Sequence, residues 1–579
     1  MEMKKSIVKY LFILGSITLF LPFSCNEALD LEPINEISDA SYWKTADQFK
    51  LAANEYYSYL FSFADVLNDM PHSDRRGDFC YNRDGLNVFS AGTNTIPNTD
   101  GNWNTAYTRI RATNILIDKA ASYTTPAEIK VFLAEAKFFR AYLYFDLLQQ
   151  YGGVPIISKP LSVDSPELQA ARNSRDEVAN FIIADLEAAI ADLPLENAIA
   201  AADKGRVSKG AAQSFLARVS LYEGTWQKFR GNTARANTLL DKAITNSDAV
   251  ITSNQYALFA PAALGDSAQK YLFILENQQS NPANIGKSAN KEYILANRYD
   301  FNTRQIRLNV THSVLNNVYW PTRKFASQYL CQDGLPIEKS PMFKGYATTR
   351  SEYLDRDNRM KYTLMIDGNY YWDNENPGAR TNWRGDAADI ASSRGKHNAA
   401  NGTGYNNQKW ATERRLQDNE EGYDYPVIRY AEVLLIYAEA VFEKNGSITD
   451  AELDKSLNLV RNRVNKTMPK LSNSLVPSNG LDMRTEIRRE RNIELFLEGF
   501  RIDDLKRWKS AETEMPQPIE GITWTNTEFQ TKWAGIGSKV VNGVYRIETA
   551  RSWAEKNYLL PIPTQQIQLN PNLVQNAGW

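Results

Sequence analysis

The sequence predicts a mainly α-helical fold: an array of tetratricopeptide-like helix pairs with minor β content and one large irregular lobe. Three segments, 134–152, 210–224 and 429–446, mix Ala with Leu, Phe or Tyr and close with a Gly. Small residues let helices approach closely, and helices that pack in pairs build arrays of this kind. Two long stretches, 65–102 and 254–425, break the helical period with Gly and Pro, and they predict the irregular lobe.

The amino terminus predicts a targeting segment. Lys4, Lys5 and Lys9 precede a mostly apolar run, 10–23, which is shorter than the about 20 residues that span a bilayer. The run ends at a small residue followed by Cys25. We therefore predict a lipoprotein signal peptide (1–24), an acylated Cys25 that anchors the chain, a lipidated tether (25–40) and a single domain (41–579). An ordinary secretory peptide with an incidental Cys is the alternative.

Further helices are predicted outside the two irregular stretches. Thr45 is a plausible N-cap for the first helix, 46–64. Gly499 interrupts the charged segment near the carboxyl end and is expected to end or kink its helix. Besides the three Ala-rich segments, the helical pattern covers residues 103–121, 176–193, 234–251 and 484–508.

The helix predicted near the carboxyl end carries Glu490, Glu494 and Glu498 on one stripe, and apolar residues flank it. Carboxylates at i, i+4 repel one another, so cations should meet them. The cations nearest to the stripe in sequence are Arg491, Arg501 and Arg507. We favour a structural ion-pair network between packed helices over a solvated charged face or a catalytic carboxylate pair.

The remaining chemistry excludes several classes of function. The formal net charge of −2 and the absence of a basic cluster argue against nucleic-acid binding. His72, His312 and His397 are not at metal-ligand spacing, so no metal site is expected. No phosphate-binding loop or other cofactor motif is present. Cys80 and Cys331 are either free buried thiols or one disulfide.

Both ends of the domain carry sets of characteristic positions. At the amino-terminal end these are Leu29-Asp30, Glu32-Pro33, Ser38, Trp43, Thr45 and Phe49. At the carboxyl-terminal end they are Ile487, Glu490-Arg491, Glu494-Leu495, Glu498-Gly499, Arg501, Asp504-Leu505, Arg507-Trp508 and the closing segment 570–579. These motifs resemble the SusD/RagB family, and the likeness runs from about Leu29 to Trp579.

The resemblance implies four paired-helix units and a lipid-anchored protein on the cell surface at the outer membrane. Such a protein binds an oligosaccharide or other oligomeric nutrient. It delivers this ligand to a SusC-like TonB-dependent transporter, on which it sits as a hinged lid. The work is binding without bond cleavage, so no enzyme and no cofactor are expected. A RagB-like peptide binder and a surface glycoside hydrolase are the alternatives.

We predict the ligand site where the early and late irregular stretches meet, since both combine aromatic and charged residues. Sugar rings stack on aromatic faces, and their hydroxyls bond to charged and amide groups. Trp320 is the first choice because Pro321 stiffens its backbone, and Trp372 is the second. The alternative is that these Trp residues pin loops to the core. The full set is Arg75, Arg76, Asp78, Phe79, Tyr81, Trp320, Tyr370, Tyr371, Trp372 and Trp383.

Overall fold

The computed structural model describes residues 42–82, 85–314, 319–366, 402–412 and 419–579. It confirms the prediction of a mainly α fold. In chain order, the α-helices are α1 (Ala46–Glu55), α2 (Phe63–Leu67), α3 (Gly101–Ala120), α4 (Pro126–Tyr151), α5 (Arg175–Asp192), α6 (Lys209–Lys228), α7 (Thr233–Thr252), α8 (Ala268–Tyr271), α9 (Val310–His312), α10 (Arg323–Ala326), α11 (Met360–Thr363), α12 (Tyr430–Asn445), α13 (Asp450–Asp454), α14 (Leu457–Arg461), α15 (Leu475–Ser478), α16 (Met483–Glu494), α17 (Arg501–Arg507), α18 (Ala511–Glu514), α19 (Glu528–Lys532) and α20 (Thr564–Leu569).

Local capping explains where several of these helices begin and end. Thr45 caps α1 as predicted: its hydroxyl accepts the Gln48 N–H, and the Gln48 side chain accepts the Thr45 N–H at 3.0 Å. Gly446 ends α12 in the left-handed conformation, with φ of 71°. Gly224 does not end its helix, because α6 continues to Lys228. This Gly instead packs on α7, where an added Cβ would lie 3.1 Å from Leu240.

The long helices form the predicted array. Each helix from α3 to α7 packs against the next, and α12 then packs against α7 and α16. Small residues line one junction, since Ala217, Ala243 and Ala440 are fully buried where α6, α7 and α12 meet. Without large side chains at these positions, the helix backbones can approach closely, as the Ala-rich pattern indicated. No helix among the described residues is long and apolar enough to cross a membrane.

Short strands hold the irregular regions together. The strands are β1 (Cys80–Asn82), β2 (Tyr293–Asn297), β3 (Tyr319–Pro321), β4 (Tyr425–Arg429), β5 (Ile519–Thr523), β6 (Val540–Val541) and β7 (Val544–Glu548). β1 pairs antiparallel with β3, β2 pairs antiparallel with β4, and a third sheet has the order β5-β7-β6. Because β1 lies in the early irregular stretch and β3 in the late one, the two stretches meet.

The charged helix near the carboxyl end is shorter than predicted. α16 ends at Glu494, and the chain turns through Leu497 and Gly499, with φ of 55° and 79°, before α17 begins. A Cβ on Gly499 would lie 2.7 Å from Val66, so the turn is pressed against α2. Glu498 therefore lies in the turn and is not on the helical stripe, although the break at Gly499 itself was predicted.

Candidate functional site

The β1–β3 ribbon brings two predicted ligand residues together. Tyr81 and Trp320 are direct cross-strand partners, and their ring centroids are 6.0 Å apart. Tyr81 is half-buried, whereas Trp320 is only 2% exposed. The covering residue is Gly402, on which a Cβ would lie 2.5 Å from the indole. In this arrangement Tyr81 offers the more accessible ring, and Trp320 supports it from within the fold.

Asp78 is held in an internal ion pair. Its carboxylate accepts two hydrogen bonds from the Arg501 guanidinium at 2.7 and 2.8 Å, and Lys324 lies 2.6 Å away. Although burial opposes ionisation, Arg501 and Lys324 hold the pKa of Asp78 well below its usual range. The carboxylate therefore joins α17 and α10 to the ribbon.

The other early-loop residues are packed to different degrees. Arg76 donates to Asp69 at 2.9 Å and lies 3.5 Å over the Phe89 ring. Phe79 is buried against Phe325, with ring centroids 5.4 Å apart. Arg75 is half-buried. Tyr370, Tyr371, Trp372 and Trp383 lie outside the described residues, as do Cys25 and His397. The ligand role of the predicted set stays a prediction.

A group of half-exposed aromatic rings near the ribbon was missed from the sequence. The Arg323 guanidinium lies 4.6 Å over the Tyr346 ring, and Phe343 packs edge-on to Tyr346 at 5.1 Å. Trp524 follows β5, and its indole N–H donates to the Trp533 carbonyl at 3.1 Å. Trp524 and Trp533 stood in irregular sequence rich in aromatic residues, which is the same signal that pointed to the late stretch.

These rings belong to one surface lobe. The Glu528 N–H donates to the Ala347 carbonyl at 3.0 Å, and the Thr349 N–H donates to the Glu528 carboxylate at 2.9 Å. The segment that carries Phe343 and Tyr346 is thereby fixed to α19, next to the β5-β7-β6 sheet. Half-exposed rings on a fixed scaffold can stack on an apolar ligand face, and Arg323 can supply hydrogen-bond donors.

The carboxylate stripe forms the predicted buried ion-pair network. Glu494 meets three guanidinium groups, those of Arg463 at 2.5 Å, Arg429 at 2.7 Å and Arg359 at 3.1 Å. Burial raises the pKa of Glu494, but these three cations lower it more, and they hold this pKa well below its usual range. All four side chains are at most 1% exposed, so the network is part of the core.

The neighbouring carboxylates extend this network. Arg359 reaches Glu490 at 2.5 Å, and Lys409 reaches Glu498 at 2.6 Å. Arg429 also contacts Glu498 at 2.7 Å and so joins two of the three carboxylates. Glu292 and Asp357 supply two more buried carboxylates to the same arginines, so the residues of this network are Glu292, Asp357, Glu490, Glu494, Glu498, Arg359, Lys409, Arg429, Arg461 and Arg463.

The cations that were nearest in sequence bind elsewhere. Arg491 pairs with Asp504 at 2.8 Å, and Arg507 pairs with Glu439 at 2.6 Å. Arg501 pairs with Asp78, as described above. The expectation that these arginines pair with the carboxylates of the stripe is therefore wrong. Arg491 follows Glu490 directly and so lies on another face of α16, whereas Arg501 and Arg507 lie on α17, after the turn at Gly499.

Two further predictions from sequence concern His and Cys residues. His72 is buried between two carboxylates, with Nδ1 2.5 Å from Asp503 and Nε2 2.7 Å from Asp146. Burial lowers the pKa of His72, but the two carboxylates raise it more, to about 10. The ring is therefore a doubly paired imidazolium, which cannot accept a proton as a base. Cys80 and Cys331 are both buried free thiols.

No metal-binding cluster stands out in the part of the chain that the structure describes: no three His, Cys, Asp or Glu side chains are grouped to hold an ion. Most ionisable groups in the described core are instead paired with one another. The lobe that joins the β1–β3 ribbon to the β5-β7-β6 sheet, with its half-exposed aromatic rings, is the candidate functional site.

Comparison with known proteins gives consistent matches. The sequence profile described as the SusD family matches residues 274–579, and the profile described as "Starch-binding associating with outer membrane" matches residues 43–221. SusD-like protein P38 of Formosa agariphila is 25% identical over 513 residues, covering 86% of this chain and 91% of that protein. A SusD-like protein of Bacteroides ovatus is 23% identical over 511 residues, covering 86% and 82%.

Solved structures agree in fold. A SusD-like carbohydrate binding protein of Bacteroides fragilis superimposes with a TM-score of 0.73 at 24% identity, covering 92% of this chain and 99% of that one. A second SusD-like protein of Bacteroides fragilis has a TM-score of 0.70 at 22% identity, covering 95% and 100%.

Proposed function

Because the chain belongs to the SusD family, we propose that it captures oligosaccharides at the cell surface and delivers them to a SusC-like TonB-dependent transporter in the outer membrane. The name of the second matching profile associates its members with the outer membrane. The similar protein of Bacteroides fragilis is described as carbohydrate binding. The proposed work is capture and handover, without bond cleavage.

One observation carries the proposal. Half-exposed aromatic rings stand together on the irregular lobe, beside the ribbon that holds Tyr81 and Trp320. Tyr346, Trp524 and Trp533 are fixed there by hydrogen bonds of their own segments and by Arg323. Rigid aromatic rings offer contact area at low entropic cost, and sugar rings present apolar faces to match them. The surrounding hydroxyl, amide and guanidinium groups suit the sugar hydroxyls.

Ligand binding is tested by calorimetric titration of the full-length protein with a panel of oligosaccharides and peptides. Tyr81→Ala should weaken oligosaccharide binding by at least about 2 kcal/mol, because a central aromatic anchor is removed. Tyr123→Ala, which removes a half-exposed ring from the connection between α3 and α4, is the matched control and should bind as the parent. Peptide binding alone, or cleavage of the oligosaccharide during the titration, would refute the proposal.

The lipid anchor at Cys25 is part of the proposal and has its own test. Cys25→Ala should abolish acylation and release the protein from the outer membrane in cells without its transporter. The domain should still fold, since its large hydrophobic core is built from described residues, none of which precedes residue 42. Multiple acyl chains make anchoring stable, and about 0.8 kcal/mol is added per buried CH₂. A variant that stays firmly membrane-bound would contradict the anchor.

A further inference from the structure

A cleft remote in sequence from the aromatic lobe has the charge and shape of a ligand subsite. It lies between α1, the loop before α6 and the end of β2, and its volume is about 420 Å³. Small-molecule sites commonly measure about 300–1,000 Å³. The lining residues are Lys50, Asn54, Tyr57, Leu60, Ala202, Asp203, Lys204, Gly205, Arg206, Ala296, Asn297, Arg298 and Arg304.

Three of the five cationic side chains in this cleft form ion pairs with carboxylates. Lys50 pairs with Asp203 at 2.7 Å, and Lys204 reaches Glu196 at 3.2 Å. The third is Arg206, which makes a bidentate pair with the buried Glu135 at 2.5 and 2.8 Å. These pairs build the walls of the cleft.

The remaining two cations have no carboxylate. Arg298 and Arg304 are exposed, and neither is paired with an acidic side chain anywhere in the described ranges. Their hydrogen bonds go to backbone: Arg298 donates to the Lys204 carbonyl, and Arg304 donates to the Arg298 carbonyl. Each guanidinium carries five N–H donors, so most of them remain for a ligand.

The position of Arg298 is set by its neighbours. Gly205 has φ of 103°, and a Cβ at this residue would lie 2.7 Å from the Arg298 Cδ. The loop before α6 can approach Arg298 this closely only because Gly205 lacks a side chain. Arg304 lies 4.8 Å over the Tyr299 ring, which restrains its guanidinium. The two cations are therefore held at the cleft before any ligand arrives.

An aromatic ring and two amide side chains line the cleft. Tyr57 is half-buried, its hydroxyl donates to Glu135 at 3.0 Å, and the Arg206 guanidinium lies 5.3 Å over its ring, so the ring is fixed. Asn54 is exposed beside it and accepts a hydrogen bond from Arg206 at 2.5 Å. The Asn297 amide nitrogen faces the Leu60 and Phe61 carbonyls, each at 3.3 Å, and its carboxamide oxygen has no partner among the described residues.

We propose that this cleft is a subsite for the carboxylate or sulfate group of an acidic saccharide, with Arg298 and Arg304 as the anion-binding pair and Tyr57 beneath the ring. Guanidinium groups bind planar or tetrahedral oxyanions through paired hydrogen bonds. The inference rests on the proposed glycan-binding function and narrows the ligand class to acidic glycans. A concave cleft with an aromatic floor favours a sugar over a flat acidic protein surface.

The test is calorimetric titration of the full-length protein with three probes: a galacturonic acid hexamer, a κ-carrageenan hexasaccharide and maltohexaose. The first carries carboxylates, the second sulfates and the third no charge. An acidic probe should bind more tightly than maltohexaose, and raising NaCl from 50 to 300 mM should weaken it. Arg298→Ala and Arg304→Ala should each weaken acidic binding by about tenfold or more.

Lys291→Ala is the matched control, because it removes one exposed positive charge near the opposite end of β2. It should leave the affinity for every probe unchanged. Equal binding of acidic and neutral probes, or parental affinity in Arg298→Ala, would overturn the subsite while the glycan-binding function stands. Failure of all saccharides to bind would overturn both. Loss of transporter association without any loss of saccharide binding would reassign the cleft to the partner protein.

Discussion

The protein holds charged side chains in two contrasting ways. In the network around α16, the three carboxylates of the stripe together with those of Glu292 and Asp357 meet five cations, and all ten groups are buried. In the cleft at the end of β2, Arg298 and Arg304 are exposed and have no acidic partner in the described part of the chain. Buried charges thus close on one another, whereas the cleft leaves positive charge available.

The difference follows from solvation. A charge removed from water costs several kcal/mol unless a partner offsets the loss, so a buried network must supply a counter-charge for each carboxylate. An exposed guanidinium keeps its water and needs no partner. A surplus of charge is therefore tolerated only where solvent reaches it. A ligand can reach the charge at the same places. Charge balance separates the structural cluster from the candidate binding cleft.

The largest expected effect comes from breaking the buried network. Glu494→Ala leaves Arg359, Arg429 and Arg463 without their shared carboxylate, so the free energy of unfolding should fall by about 3–5 kcal/mol. Chemical denaturation measures this loss. Glu512→Ala, which removes an exposed carboxylate, should change stability by no more than about 0.5 kcal/mol. Ligand affinity of folded Glu494→Ala should equal that of the parent; lost affinity would move the network into the site.

An intermediate effect is expected at Asp74, a buried carboxylate beside the network. One oxygen accepts the Gly499 N–H at 3.0 Å, and the other has no hydrogen-bond partner among the described residues. Burial raises the pKa of Asp74 to about 7, against the lowering effect of this N–H. The folded state therefore binds the proton more tightly than the unfolded state. The stability that results is complete below about pH 4 and is lost as pH rises through 7.

Asp74→Asn mimics the protonated form and keeps the oxygen that accepts from Gly499. It should be more stable than the parent at pH 8, by about 1–2 kcal/mol, and this advantage should shrink at pH 5. Thermal unfolding at both pH values measures the change. Asp164→Asn, at an exposed position, is the control, because it measures the effect of removing one carboxylate charge from the surface. A stability difference that does not depend on pH would show that Asp74 is not charged at pH 8.

The smallest effect is expected for a matched pair at the surface. Lys470 lies 3.0 Å from Asp454, but the two side chains are 59% and 46% exposed. Lys470→Ala should lower the free energy of unfolding by less than about 0.5 kcal/mol, because water replaces the lost partner. Chemical denaturation of Lys470→Ala and Glu494→Ala under the same conditions compares the two losses directly. A loss near that of Glu494→Ala would mean that burial does not set the value of an ion pair here.

Much of the array followed from the sequence. Thr45, Gly152 and Gly446 mark helix ends through bonds or backbone angles that reach only a few residues along the chain. The Ala-rich pattern predicted close helix packing because side-chain size, like helix capping, can be read from individual residues and their near neighbours. Gly224 shows the limit of this reasoning. It resembled a helix end, but its small size serves the contact with Leu240 on α7.

The candidate site was less accessible to prediction. Composition pointed to the two irregular stretches, and their meeting at the β1–β3 ribbon agrees with it. Composition did not show that Gly402 covers Trp320, or that Tyr346 and Trp524 stand on the same lobe. These relations join segments far apart along the chain, and a single sequence carries no signal for such contacts.

The sequence by itself determined the helical array, the family pattern at both ends and the need for cations opposite Glu490, Glu494 and Glu498. Only the tertiary structure decided which cations these are, and it chose residues between 359 and 463 over the neighbouring arginines. It also brought Lys50, Arg206, Arg298 and Arg304 into one cleft. Helix propensity and capping act over one turn, whereas an ion pair depends on where packing places distant segments.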